Sequence, residues 1–138
     1  MSMGYGGLCK KFAEDEEFVV YEYFSYNLDI RDFDLKETIE EKFDGFITIR
    51  KDSLIEPEMR EKTRKMPNGR RKTFTKKILK EVELLDLINL GAVQIENCSN
   101  AWRILPIGFD FIACILCRRI FFKYQQDGIL LEKISLNF

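Results

Sequence analysis

The chain has 138 residues, 46% hydrophobic and 33% charged, with a formal net charge of -1; this length suits one domain that buries roughly 70% of its unfolded surface, and the composition opposes disorder. It contains no histidine, which removes the commonest general base, every Ser-His or Cys-His nucleophile arrangement and the usual neutral metal ligand. No apolar run approaches the ~20 residues of a membrane span, and the N-terminus lacks the basic-then-apolar order of a signal peptide; a cytoplasmic protein with reduced cysteines, no membrane partner and no cofactor is expected.

Residues 5–13 and 17–26 are rich in aromatic and β-branched side chains on either side of the acidic cluster Glu14, Asp15 and Glu16, which predicts a β-hairpin. In its second arm Phe18, Val20, Glu22, Phe24 and Tyr26 alternate with Val19, Tyr21, Tyr23 and Ser25. Both faces are largely apolar, so the strand is expected to be central, or to turn one face to a partner. The acidic stretch 27–43 offers Asp34 and Glu37 as the capping box of a short helix. Residues 46–50 read as a strand entered through Asp44 and Gly45. Pro57 is suited to open a helical turn that runs into the basic tract and stops at the turn Pro67, Asn68, Gly69. Alternation over 72–78 predicts another strand, the pattern over 82–89 a helix stopped by Gly91, and 93–96 a strand. Residues 109–126 form the clearest helix, ended by Asp127 and Gly128, and 130–138 a closing strand. The expected fold is a single α+β domain over 1–138, mainly antiparallel sheet, with an N-terminal hairpin and a long buried C-terminal helix.

Cys114 and Cys117 lie two residues apart within that helix. A redox couple needs its first thiol at a helix N-terminus, where the dipole favours thiolate, whereas Cys114 falls well inside. A zinc site needs about four ligands, and Cys9 and Cys98 are isolated. The remaining reading, small buried hydrophobes, is the one the pattern favours. On a helical wheel Phe109, Ala113, Leu116, Ile120 and Tyr124 make one stripe with Cys117 at its edge. A second stripe of Phe111, Ile115 and Phe122 is either buried between two layers, the favoured expectation, or a partner surface.

The charges are segregated. Residues 1–46 hold twelve acids against five bases, and residues 60–80 hold ten bases against Glu61 alone. The acidic half suggests a docking surface for a basic protein, with Asp15, Glu16, Asp29 and Asp32 steering the encounter and Tyr21, Tyr23 and Tyr26 filling pockets. The basic tract suggests nucleic acid, with Arg64, Lys65, Arg70, Arg71 and Lys72 on phosphates; against it stand a pI near 5.7 and a single stacking residue, Phe74. Carboxylate pairs such as Glu40 and Glu41 leave a third possibility, an enzyme using carboxylates or a thiol. Gly4 to Gly7 lacks the strand and helix that flank a nucleotide-binding loop.

The segments at 3–7 (MGYGG), 21–23 (YEY), 26–27 (YN), 65–72 (KMPNGRRK) and 96–102 (ENCSNAW) resemble those of small bacterial cytoplasmic proteins of the polymorphic-toxin and contact-dependent-inhibition immunity class. The resemblance implies a non-catalytic protein that binds one cognate toxin domain, possibly a nuclease, by covering its active site or gripping a nearby surface. It assigns no binding residue. An immunity protein is therefore the first expectation and nucleic-acid binding the second.

Overall fold

The computed structural model describes residues 4–27, 43–99 and 101–137. Two long arms, β1 (Tyr5–Glu14) and β2 (Phe18–Asn27), form the expected hairpin. They are followed by β3 (Gly45–Arg50), a 3-10 turn at Lys51–Ser53, β4 (Glu58–Lys65), β5 (Arg71–Ile78), helix α1 (Leu84–Asn89), β6 (Val93–Glu96), helix α2 (Phe111–Asp127) and β7 (Lys133–Asn137). Five strands make an antiparallel sheet in the order β6-β3-β2-β1-β7, and β4 and β5 make a separate two-stranded sheet. The fold is α+β. No helix among the described residues is long and apolar enough to cross a membrane.

The strand with two apolar faces, β2, is the middle of the five. Its Val19, Tyr21, Tyr23 and Ser25 are fully buried on the face that also carries Cys9, Ile47, Ile49, Val93, Ile95, Ile134 and Leu136, as the cross-strand register requires. Helix α2 covers this face with Ile112, Ala113, Leu116, Cys117, Ile120 and Phe121. Each isoleucine, leucine or phenylalanine side chain among them withdrawn from water stabilises the fold by about 1.5–3 kcal/mol. The approach is close at Gly7, where a Cβ would stand 2.5 Å from Ile112 Cγ2, so glycine lets the helix settle on β1. Gly45 likewise leaves room for the Tyr23 ring.

The helix begins two residues later than the apolar pattern predicts. Asp110 has extended backbone and its Oδ1 accepts from Ile112 N at 3.0 Å, making it the N-cap, while residues 103–111 fold into a tight loop closed by Phe111 N to Arg103 O and Leu105 N to Phe109 O. Gly128, at φ 72°, ends the helix with its N–H on Tyr124 O, the left-handed cap that glycine adopts without steric cost. The azimuth also differs from the wheel. The buried arc runs through 112, 113, 116, 117, 120 and 121, and Tyr124 lies outside it, donating to Glu56 Oε1 at 3.2 Å. Phe111, Ile115 and Phe122 are half-buried rather than sandwiched. The Arg103 guanidinium lies over the Phe111 ring at 4.3 Å. Apolar residues surround so much of this helix that composition alone left its rotation open.

One element differs in kind. The helical turn expected after Pro57 is the strand β4. Its side chains present no apolar stripe for a core to bury, and its backbone bonds instead with β5 across the turn at 66–70, where Met66 N donates to Arg70 O at 2.7 Å and Gly69 takes φ 84°. The capping box at Asp34 and Glu37 lies outside the described residues.

Candidate binding surfaces

The N-terminal hairpin ends in the acidic turn. Asp15 Oδ1 accepts from Phe18 N at 2.7 Å and Glu17 N at 2.8 Å, which holds its carboxyl below the usual carboxylate range. Glu14 bridges Lys51 and Lys11, each at 3.0 Å, and is lowered for the same reason, the Lys51 bond contributing most. Lys11 also reaches Glu132 at 3.2 Å. Asp15 and Glu14 are thus engaged in the body's own structure, while Glu16 and Glu17 remain exposed.

The tyrosines expected to fill pockets on a partner do not reach the surface. Tyr21 and Tyr23 are fully buried and Tyr26 is 9% exposed, because the central strand turns the first two towards the helix. Their hydroxyls, which would be costly to bury unpaired, act as internal pins. Tyr21 donates to Leu131 O at 2.7 Å, Tyr26 to Leu136 O at 3.3 Å, and Tyr23 to Asp110 Oδ2 at 3.0 Å while accepting from Cys98 N at 3.0 Å. The role of pocket-filling anchors is therefore withdrawn for all three. Asp29 and Asp32 lie outside the described residues.

Around Tyr23 lies a buried polar cluster. Asp110 is fully buried and its carboxyl is pushed above the ordinary value by loss of water, opposed by its bonds from Ile112, Tyr23, Ser25 and Cys98. The Cys98 thiol stands 3.4 Å from Ser25 Oγ. All four cysteines are free and buried. Burial pushes Cys9 up to about 12 and raises Cys98, Cys114 and Cys117 as well, the opposite of what an attacking thiolate requires. The pair at 114 and 117 belongs to the core. Among the described residues no three His, Cys, Asp or Glu side chains gather as a metal site.

The basic tract is arranged quite differently. Every residue of β4 and β5 is exposed except Ile78, which is half-buried. The register pairs Arg60 with Lys76, Lys62 with Phe74, Arg64 with Lys72 and Lys65 with Arg71. Because opposed residues share a face and faces alternate along a strand, Arg60, Lys62, Arg64, Lys72 and Lys76 surround Phe74 on one side of the ribbon. Lys65, Arg71 and Lys77 lie on the other with Thr63, Thr73 and Thr75; the two threonine hydroxyls at 63 and 73 meet at 3.2 Å. Arg70 sits in the turn, its N–H on Asn68 Oδ1 at 3.0 Å. The tract's candidate phosphate ligands are thus brought together, with Arg64 and Lys72 on the Phe74 face and Lys65, Arg70 and Arg71 at the tip and on the reverse.

The ribbon is fastened at its base by the last turn of α2. Tyr124 holds Glu56 on the entering leg. On the leaving leg the buried Gln125 amide accepts from Lys80 N at 2.7 Å and donates to Lys80 O at 2.9 Å, and Lys77 Nζ donates to Gln126 O at 2.8 Å, supplying a cation to the negative end of the helix. Sequence reasoning missed Gln125 and Asp110. A lone amide four residues beyond Phe121 on a core arc was the available signal for the first, and an acid directly before an apolar helix the signal for the second.

No protein-family model, no curated protein and no solved structure matches the chain.

Proposed function

We propose that the protein is a non-catalytic binding protein whose working surface is the β4–β5 ribbon and whose partner is nucleic acid. The supporting observation is a two-stranded element, residues 58–78, with nine bases against Glu58 and Glu61 and nothing buried along either strand. An isolated two-stranded hairpin is marginal in water, and this one contributes no side chains to the core cluster, so folding of the body does not account for its length or charge. Phosphate neutralisation does, and a two-stranded ribbon has dimensions that a groove or a single strand accepts. On the Phe74 face only Arg60 has an ion-pair partner among the described residues, Glu58 at 3.0 Å. Four cations are left for phosphates. The affinity for single strands should then fall with salt with a logarithmic slope of about -3, or roughly 50-fold between about 50 and about 200 mM salt. Fluorescence anisotropy with labelled single- and double-stranded oligonucleotides measures this, and absence of binding at the lower salt would remove the reading.

A second reading, neutralisation of a basic toxin domain, is favoured by the exposed acidic tip at Asp15, Glu16 and Glu17 and by the resemblance to immunity proteins. It now rests on charge alone, without tyrosine anchors. It predicts the reverse response to mutation. Glu16→Lys with Glu17→Lys should weaken binding to a purified toxin domain at least tenfold, and Arg64→Glu with Lys72→Glu should not.

A further inference from the structure

We infer that the Phe74 face of the ribbon is a site for an unpaired nucleic-acid strand, with one base stacked on the Phe74 ring and the flanking phosphates held by Lys62, Arg64, Lys72 and Lys76. This deepens the nucleic-acid reading and rests on it. The face forms an open trough of about 700 Å³ lined by Lys62, Arg64, Phe74 and Lys76, with Lys65, Met66 and Pro67 lining it at the tip. Phe74 is 43% exposed. Its neighbours are fixed by the ladder: Lys62 directly across, Lys72 and Lys76 two residues away on its own strand, Arg60 and Arg64 on the diagonals.

Three features separate an unpaired strand from a duplex. The charge is one-sided, with five cations on the Phe74 face and three on the reverse, of which Lys77 is already bonded to Gln126 O, so the phosphates gather on the side that carries the ring. Phe74 lines the trough with an exposed ring, which the face of an unpaired base can reach, whereas a duplex displays only base edges in its grooves. Finally, Phe74 has no core beneath it, and the Lys72 ammonium lies over its ring at 5.5 Å, a cation on a flexible stem that an arriving base displaces from the ring towards its own phosphate. Residues on one face of a strand are about 6.7 Å apart, so Lys72 and Lys76 stand about 13 Å from each other with the ring midway between them, and their flexible stems can reach the phosphates on either side of a base stacked there. Pairing with a second copy of the ribbon is opposed by like charge.

The test uses the full chain, anisotropy at low salt, and three labelled probes of equal length: oligothymidylate, an abasic strand with the same sugar-phosphate backbone, and a duplex. Phe74→Ala should weaken oligothymidylate binding roughly tenfold or more and leave the abasic strand unchanged. Phe74→Trp should retain oligothymidylate binding, and the new indole should be quenched above the constant signal of Trp102. Arg64→Glu with Lys72→Glu should weaken both single strands. Equal effects of Phe74→Ala on oligothymidylate and abasic strand, no effect on either, or tighter binding of the duplex than of oligothymidylate would overturn the inference while leaving the nucleic-acid reading intact. Failure of the unaltered chain to bind any of the three probes would overturn both and direct attention to an acidic protein as the ribbon's partner.

Discussion

The protein contains two antiparallel hairpins of similar length put to opposite uses. In β1–β2 one face is sealed under α2 and the hydroxyls of its Tyr21 and Tyr23 are bonded internally, to Leu131 O and Asp110 Oδ2; in β4–β5 no side chain is buried at all. Both hairpins follow the same period-two geometry. They differ in what stands at alternate positions: tyrosine, valine and cysteine in the first, lysine, arginine and threonine in the second. A hairpin of the first kind is held by the fold. One of the second kind is held, among the described residues, at its base by Tyr124, Gln125 and the Lys77 bond to Gln126 O, and leaves most of its cations exposed.

The comparison predicts unequal responses to mutation. Leu116→Ala, in the layer between α2 and the sheet, should cost about 2–5 kcal/mol in a urea titration, whereas Phe74→Ala on the ribbon should stay within about 0.5 kcal/mol. If both cost the same, the ribbon is part of the core after all.

A second test separates the halves by pH. The buried Asp110 carboxyl is raised above its ordinary value of 3.8, so the folded state holds a proton that the unfolded chain has released. Its contribution is fully present below the unfolded value and is lost as pH rises above it through the folded one. Glu14 and Asp15, lowered at the hairpin end, act in the other direction and lose stability as pH falls. Asp110→Asn keeps a capping side chain and removes only the first effect. The stability of the unaltered chain minus that of the variant, measured by denaturant titration from about pH 4 upward, should therefore decline with rising pH. A flat difference would mean that Asp110 titrates normally. Arg64→Glu with Lys72→Glu should produce the smallest change, within about 0.5 kcal/mol at any pH, while abolishing oligonucleotide binding.

Much of this division was legible in the residues, and the misreadings are instructive. The alternation of Val19, Tyr21 and Tyr23 with Val20, Glu22 and Phe24 marked a central strand, and Pro67, Asn68 and Gly69 marked a turn, which joins two strands rather than ending a helix. The same tyrosines were misread as contact residues because aromatic content beside acids looks alike on a surface and in a core; which face α2 covers is a tertiary fact. The tract from Glu58 to Lys65 was misread because Pro57 carries a helix-start signal, and the pairing that decides otherwise lies with residues 71–78. Gln125 and Asp110 escaped notice because a single polar residue next to an apolar helix acquires meaning only when its partner, the Lys80 backbone or the Tyr23 hydroxyl, is brought to it from elsewhere in the chain.

The central claim, that the ribbon is the surface of contact, is tested most directly by hydrogen–deuterium exchange of the full chain with and without a saturating single-stranded oligonucleotide. Ribbon amides, bonded only across one exposed ladder, should exchange far faster than those of β2 in the free protein, and addition of the oligonucleotide should slow exchange across residues 58–78 while leaving the acidic turn at 14–17 unchanged. Protection at the acidic turn, or none at the ribbon under conditions where the oligonucleotide is bound, would contradict the account.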